Sequence, residues 1–342
     1  MKYKPEINNY YNPESIRENN LFKYYQNPRY KSTHDTNTMP SFPFVSSLEF
    51  TNVCNLDCLF CARSVMTRPL GYMSQELFNR IITEYRQHKI FIKVNGYGEN
   101  LLHPNVLEFI TELKKENGLY FTSNCTRLDD KVSQCLIDNN VDVFQISFQG
   151  VDKNGYESQR RNGNYDTVVK NIRRLVELRG DKTYPFIHLS TTILDESNDE
   201  LESFLNTGFE WGVDSIGIGR TDYDRVIESM LHDEARKEDI HRMRERQTLT
   251  KVPDHSYLYK YIDVNWDGIV VSSFFDFNKF VPVGDLNKQS MFSIWNHSEV
   301  LNALRVLEKN KLLNEMKVFD TFYHAWHVDN KSSYNLNNVE II

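Results

Sequence analysis

The sequence predicts an α/β protein, a parallel sheet curled into a partial (β/α)6 barrel of the TIM type, with a small α+β domain after it. Three observations carry this expectation. Between residues 44 and 220, β-rich runs alternate six times with segments of helical period. Beyond 220 the alternation stops. At 342 residues the chain is long enough for one large domain and an appendage. Strand–helix repetition implies parallel strands joined by right-handed crossovers. Six units fit an open version of the eight-unit barrel, whose chemistry sits at the C-terminal ends of the strands.

The elements follow in order. Residues 1–44, rich in Asn, Tyr, Pro and Lys, read as an arm without a sustained apolar period. The barrel, 45–220, opens with the strand "FVSSLEF" (44–50), then "SQELFNRIITEYRQH" (74–88), a helix behind a Ser N-cap. "IFIKVNGYG" (90–98) is β-rich, "PNVLEFITELKKE" (104–116) helical, "GLYFTSN" (118–124) a strand and "DKVSQCLIDN" (130–139) a helix. "VDVFQISF" (141–148), the helix 165–179, the strand 186–194, a helix near 199–207 and "VDSIGIG" (213–219) complete the series. A charged helical connector spans 221–252. The second domain, 253–327, reads as two strands around the turn "WDG" and a helix over 289–310, with a polar tail at 328–342. Tyr257, Tyr259 and Tyr261 alternate as in a strand, so one face of them is expected to be packed.

A net charge of -7 and scattered Lys and Arg argue against a nucleic-acid surface. No apolar run is long enough to cross a membrane, and the first residues have no signal-peptide core, so a soluble, cytoplasmic protein is expected.

"TNVCNLDCLFCARS" (51–64) puts three of the five cysteines, Cys54, Cys58 and Cys61, just past the first strand. An odd count and a reducing compartment disfavour disulfides. Two readings remain. A Cys3His zinc site needs a nearby fourth ligand, and the next histidine downstream is His88. A four-iron cluster held by three thiolates would leave one iron free for a ligand that is not protein.

Cys-x3-Cys-x2-Cys with Phe60 before the third cysteine resembles the signature of the radical SAM (S-adenosylmethionine) family, and the resemblance extends over about 45–327. It implies a [4Fe–4S] cluster on Cys54, Cys58 and Cys61, S-adenosylmethionine on the fourth iron, and a 5′-deoxyadenosyl radical that abstracts hydrogen from a substrate. It also implies an external electron donor such as a flavodoxin or ferredoxin. In "NGYGEN" (95–100), Gly98 and Glu99 match the family's Gly-Gly-Glu segment, which contacts the SAM amino group, while Tyr97 replaces the first Gly. Ser123 and Asn124 in "FTSNCT", and Ser147 at the end of the fourth strand, resemble SAM-contacting positions. Arg161 in "YESQRRNGNYD" resembles the arginine near the SAM carboxylate, with Arg160 as the alternative.

The second domain resembles the SPASM (twitch) extension, which usually binds auxiliary clusters. Here Ser272 and Ser273, then Phe319 and Phe322, stand where that extension has cysteines. Only Cys125 and Cys135 remain, too few for an all-cysteine second cluster, so a degenerate extension and a redox-neutral reaction are expected. Cys125 reads either as a hydrogen donor to a substrate radical or as a small residue packed beside SAM, and Cys135 as core. His188, Ser190, Thr192 and Arg220 are candidates for substrate contact or barrel lining. The expected substrate is a small polar, carbohydrate-like molecule. A peptide-modifying maturase and a non-catalytic zinc-binding or interaction protein are the alternatives.

Overall fold

The computed structural model describes residues 9–19, 39–223, 226, 231, 233–248 and 256–310. After a short strand β1 (Asn9–Tyr11) come β2 (Phe44–Leu48) and β3 (Asp57–Cys58). Helix α1 (Gln75–His88), β4 (Phe91–Val94), α2 (Val106–Lys114), β5 (Gly118–Ser123), α3 (Asp130–Asp138) and β6 (Val143–Ser147) follow. Next are α4 (Lys153–Gln159), β7 (Arg160–Arg161), α5 (Tyr165–Arg179), β8 (Phe186–Ile193), α6 (Asn198–Glu210) and β9 (Ser215–Arg220). The remaining elements are α7 (Glu234–Glu245), β10 (Tyr261–Val264), β11 (Ile269–Val271), β12 (Pro282–Asp285), α8 (Met291–His297) and α9 (Glu299–Lys309).

Strands β2, β4, β5, β6, β8 and β9 pair in parallel in chain order. The helices between them begin where a side chain satisfies free backbone N–H groups. Ser74 accepts from Leu77 at α1, Asp129 from Val132 at α3 and Asn164 from Thr167 at α5. Alternate residues of each strand serve opposite faces. Ile92, Phe121, Phe144, Leu189 and Ile216 pack under the helices in the main core. On the other face Phe44, Tyr120, Val143 and Phe186 form a separate apolar cluster at the N-terminal ends of the strands. Above that floor the inward positions turn polar and keep intermediate exposure, among them Lys93, Thr122, Gln145 and Ser190. Among the described residues the barrel interior is therefore apolar at the N-terminal ends of the strands and polar above them.

Both sheet edges are extended, which removes unpaired backbone groups. β1 pairs antiparallel with β9, with Asn9 opposite Gly217. β10 pairs parallel with β2, and β11 and β12 continue antiparallel, giving a ten-stranded sheet. The strands expected in a separate C-terminal domain thus continue the barrel sheet.

Other details differ from the sequence reading. The helix expected over 289–310 is broken at Ser298, which is extended, donates to Val283 O at 2.6 Å and caps α9. Residues Ser256–Tyr259 form a 3₁₀ turn rather than a strand, with the Tyr259 hydroxyl donating to Arg305 O at 2.6 Å. The connector's described helix is α7 alone. β12 is an additional strand that the sequence does not signal, since "PVGD" is short and opens on proline. The segment containing Phe319 and Phe322, and the tail, lie outside the described residues.

One buried ion pair ties α5 to β9 and to the N-terminal arm. Arg179 is bonded to Asp214, both with side chains 1% exposed, and Asp214 also accepts from Ile187 N at 2.7 Å and Ser15 Oγ at 2.7 Å. Removing one partner leaves the other charge buried and unmatched. Asp214→Ala is therefore expected to lower the unfolding free energy by about 3–5 kcal/mol, read from the urea midpoint.

Candidate functional site

The cysteine loop is anchored by an apolar residue at every third position. Leu56, Leu59, Ala62 and Val65 are buried, which leaves Cys54, Cys58 and Cys61 half-buried on the other side. Leu59, Ala62 and Val65 belong to a second core that includes Tyr223, Ile240 and Met243, so α7 packs against the loop instead of merely connecting two regions. β3 pairs antiparallel with β7, which sets Cys58 opposite Arg160 and Asp57 opposite Arg161. The guanidinium of Arg236 on α7 closes the ribbon, donating to Asp57 Oδ2 at 2.5 Å and to Cys58 O at 2.8 Å.

All three thiols are free. Burial pushes the Cys54 thiol up to about 11 and the Cys58 thiol up to about 12. The neighbouring thiols add to both shifts; Arg63 opposes both, and Arg160 opposes that of Cys58. The Leu56 N–H donates to Cys54 Sγ at 3.4 Å. Bound cations reverse such shifts, because the metal replaces the lost solvation of the thiolate. Among the described residues no three His, Cys, Asp or Glu side chains close on one point as the ligands of a single metal ion do. A four-iron cluster asks for something different, one thiolate at each of three irons.

Beside the loop, Gly98 lies against the backbone of residues 51–53. A Cβ there would stand 2.2 Å from Thr51 O and 2.7 Å from Val53 O, so the contact requires glycine. The approach lets Glu99 N donate to Val53 O at 2.9 Å. The Glu99 carboxylate, 2% exposed, accepts from Leu101 N at 3.0 Å, Ser123 Oγ at 2.9 Å and Asn124 N at 2.6 Å. Burial raises its pKa, and these three donors and Arg160 pull it back. Asn124 continues the network to the cluster loop, donating to Asn55 Oδ1 at 3.2 Å, with its Nδ2 3.9 Å from Cys54 Sγ. Tyr97, the departure from the family pattern, stacks on Phe274 at 4.6 Å and donates to Phe274 O at 2.7 Å.

The two arginines diverge. Arg161 is paired with Asp239 on α7 and faces Asp233. Arg160 is buried, lies 5.4 Å over the Phe60 ring, donates to Phe148 O at 3.0 Å and leaves its Nε buried without a partner. Its charge reaches both Cys58 and Glu99, whose pKa values it lowers. The structure thus turns Arg160, rather than Arg161, toward the site.

Cys125 is fully buried in the main core at φ 64, the left-handed conformation that favours glycine. Its thiol lies in the apolar core between the sheet and the helices, away from the exposed side of the cysteine loop. Ser147 ends β6 half-exposed. His188 Nδ1 lies 2.7 Å from Ser215 Oγ, Thr192 donates to Gln149 Oε1 at 2.8 Å, and Arg220 donates to Leu194 O at 2.8 Å. Ser272 and Ser273 are buried. Cys135 packs against the main core, with its sulfur near Thr111 and Asn139. Sequence reasoning missed Lys93 and Asp263 inside the barrel, although each interrupts a short apolar strand ("FIKV", "YIDV") at an inward position. It also missed Arg236, for which nothing local in the sequence gives a signal.

The donor set fits a cluster and a zwitterionic ligand. It offers three free thiols, an N–H aimed at one sulfur, a buried carboxylate, and an arginine with an unused N–H. A partial parallel barrel with three clustered thiols at its C-terminal mouth defines a class of cluster-dependent barrel proteins. Residues 48–207, a little under half of the chain, match the Radical SAM superfamily. The superfamily uses a [4Fe–4S] cluster and S-adenosylmethionine.

Mycofactocin maturase MftC of Mycobacterium tuberculosis is 24% identical over 171 residues, 50% of this chain and 43% of that one. A probable GTP 3′,8-cyclase of Methanococcus maripaludis is 29% identical over 135 residues, 38% of this chain and 45% of that one. The chain spans less than half the length of these curated relatives. The crystal structure of Streptococcus suis SuiB bound to S-adenosylmethionine shares the fold, with a TM-score of 0.60 at 12% identity over 85% of this chain and 74% of that one. The carbohydrate-like substrate expected from sequence finds no support among these relatives, whose names are those of a maturase and a nucleotide cyclase. No helix among the described residues is long and apolar enough to cross a membrane.

Proposed function

We propose that this chain is a radical SAM enzyme in which Cys54, Cys58 and Cys61 hold one [4Fe–4S] cluster, with Glu99, Ser123, Asn124 and Arg160 around S-adenosylmethionine. When bound, the cofactor pair supplies a 5′-deoxyadenosyl radical able to remove hydrogen from an unactivated C–H. The chain's own residues bind and shield. Glu99, held by three donors, has lone pairs left for an ammonium group. Arg160 offers its Nε to a carboxylate in the fork geometry suited to it. Ser123 and Asn124 fix the carboxylate of Glu99, and Asn124 with Leu56 N–H supports the Cys54 sulfur. Phe60, Tyr97 and Met66, packed on the second core, screen the loop from water. Ser147 stands at the mouth of the polar barrel interior, where the substrate is enclosed.

The observation that carries this reading is the placement of Arg160 opposite Cys58 in the β3–β7 ribbon and over the Phe60 ring, its Nε buried and unpaired. The substrate is a polar organic molecule, and the outcome redox-neutral, since the two cysteines left over cannot complete an all-cysteine second cluster. A reduced flavodoxin or ferredoxin is the expected electron donor. Peptide modification is the second reading, favoured by the maturase among the relatives and by the SuiB structure bound to precursor peptide SuiA, with a TM-score of 0.58.

The test is anaerobic reconstitution and reduction, followed by chromatography for 5′-deoxyadenosine and methionine. Slow formation of both is expected, and intact S-adenosylmethionine would overturn the reading. The arginines give a sharper comparison by equilibrium dialysis. Arg160→Ala is expected to weaken S-adenosylmethionine binding by about tenfold or more. Arg161→Ala, which removes a partly exposed ion pair, should change it by about twofold or less.

A further inference from the structure

The barrel interior contains a lysine for which the proposed chemistry has no use. Lys93 projects inward from the middle of β4, above the apolar floor, with its Nζ 4.8 Å from the centre of the Tyr120 ring. Among the described residues it makes no hydrogen bond and no ion pair, so the ring face is its nearest compensation. Burial pushes its pKa down to about 8, and Asp263 opposes that shift. Burial, with the Lys93 charge adding to it, pushes the pKa of His188 on β8 down to about 3. His188 is therefore neutral and bonded to Ser215.

The facing carboxylate comes from outside the six barrel strands. Asp263, 6% exposed, stands on β10, opposite Ser47 in the added strand pair, and accepts from Ser46 Oγ at 2.6 Å. Burial raises its pKa to about 7, with Lys93 opposing and Glu49 adding to the shift. Glu49 itself is neutralised by a two-pronged bond to Arg68, 2.7 Å on each arm. Among the described residues the groups around the interior thus reduce to one lysine without an acceptor, one carboxylate with a weakened charge, a neutral histidine and neutral hydroxyls and amides. An ammonium group taken out of water and left without an acceptor is costly. Here it keeps part of its exposure, as do the inward side chains Thr122, Gln145 and Ser190 on the neighbouring strands.

We propose that Lys93 is a substrate anchor that takes an anionic oxygen group, a carboxylate or a phosphate, at the bottom of the barrel interior, with Asp263 setting the position of a neighbouring N–H or O–H of the same substrate. This rests on the reading of the barrel interior as the substrate chamber of a radical SAM enzyme. An anion docked at Lys93 sits near the apolar floor, which leaves the rest of the molecule to extend upward to the cysteine loop at the strand C-termini. The anchor therefore fixes which end of the substrate faces the cofactor, and selects substrates with a terminal anionic group over neutral sugars.

The experiment uses the reconstituted holoprotein with S-adenosylmethionine, titrated by calorimetry with succinate and, separately, inorganic phosphate at constant ionic strength. One anion per chain is expected, and Lys93→Met should weaken its binding by about tenfold or more. Whichever anion binds the wild type more tightly identifies the group as carboxylate or phosphate. Asp263→Asn, which keeps the Ser46 contact but removes a like charge, should tighten anion binding by about threefold or more, and it carries the test if Lys93→Met fails to fold. Equal binding in the wild type and both variants, or none in the wild type, would overturn the anchor. Formation of 5′-deoxyadenosine by the wild type is measured alongside. If it occurs while Lys93 binds no anion, the anchor fails alone; if it never occurs and the anion site still depends on Lys93, the enzymatic reading fails alone.

Discussion

Cys58→Ala is expected to return 5′-deoxyadenosine formation to the level of a protein-free control and to strip the chain of stably bound iron. Cys58 is the thiol most tightly built into its surroundings. It lies in the β3–β7 ribbon opposite Arg160, its carbonyl is held by Arg236, and Leu59 beside it is fully buried. The side chain itself contributes little to packing, being half-buried between anchored neighbours. The variant should therefore fold with a thermal midpoint close to the wild type while losing the visible iron–sulfur absorption. Retained iron and activity would show that the cluster, if present, is held elsewhere.

The second large effect is expected at Gly98. An alanine Cβ would meet the carbonyl oxygens of Thr51 and Val53 and Cα of Asn52, all within 2.7 Å and all backbone. Backbone atoms cannot step aside as a flexible side chain can, so Gly98→Ala is expected to cost about 1–3 kcal/mol in folding free energy. The larger consequence is local. The strand-end loop must separate from residues 51–53, breaking the Glu99 N to Val53 O bond and displacing the carboxylate from Ser123 and Asn124. S-adenosylmethionine binding by equilibrium dialysis should fall by about tenfold or more even where the variant is fully folded. Gly180→Ala is the control for glycine loss as such. It sits at φ +53 after α5, where the nearest atom to an added Cβ would be Glu177 O at 3.9 Å, and should cost stability without touching ligand affinity.

Much of this architecture is legible in the sequence because its signals are local. Strand–helix alternation reports the parallel barrel, and the caps at Ser74, Asp129, Asn164 and Ser197 mark helix starts by the chemistry that satisfies the first N–H groups. The cysteine spacing and the Gly98–Glu99 pair are likewise short-range. What sequence does not carry is which long-range neighbour a polar side chain meets. Arg160 and Arg161 are adjacent and chemically identical, and only the ribbon with β3 decides that one faces the thiols and the other α7. The addition of β10 to the edge of β2 is a tertiary event of the same kind. It alone brings Asp263 to Lys93, about 170 residues away by the numbering. Cys125 shows the converse. Its position was legible, but its φ of 64 and complete burial, which favour packing over chemistry, belong to the folded turn.

The proposed function requires one iron–sulfur cluster on three thiolates in the loop of Cys54, Cys58 and Cys61, with one iron left for S-adenosylmethionine. Mössbauer spectroscopy of 57Fe-reconstituted protein, paired with iron, sulfide and zinc analysis, tests it most directly. About four irons per chain in a single [4Fe–4S] cluster are expected, one iron site changing its signal when S-adenosylmethionine is added. Zinc in place of iron, about eight irons per chain, or a spectrum indifferent to S-adenosylmethionine would contradict it.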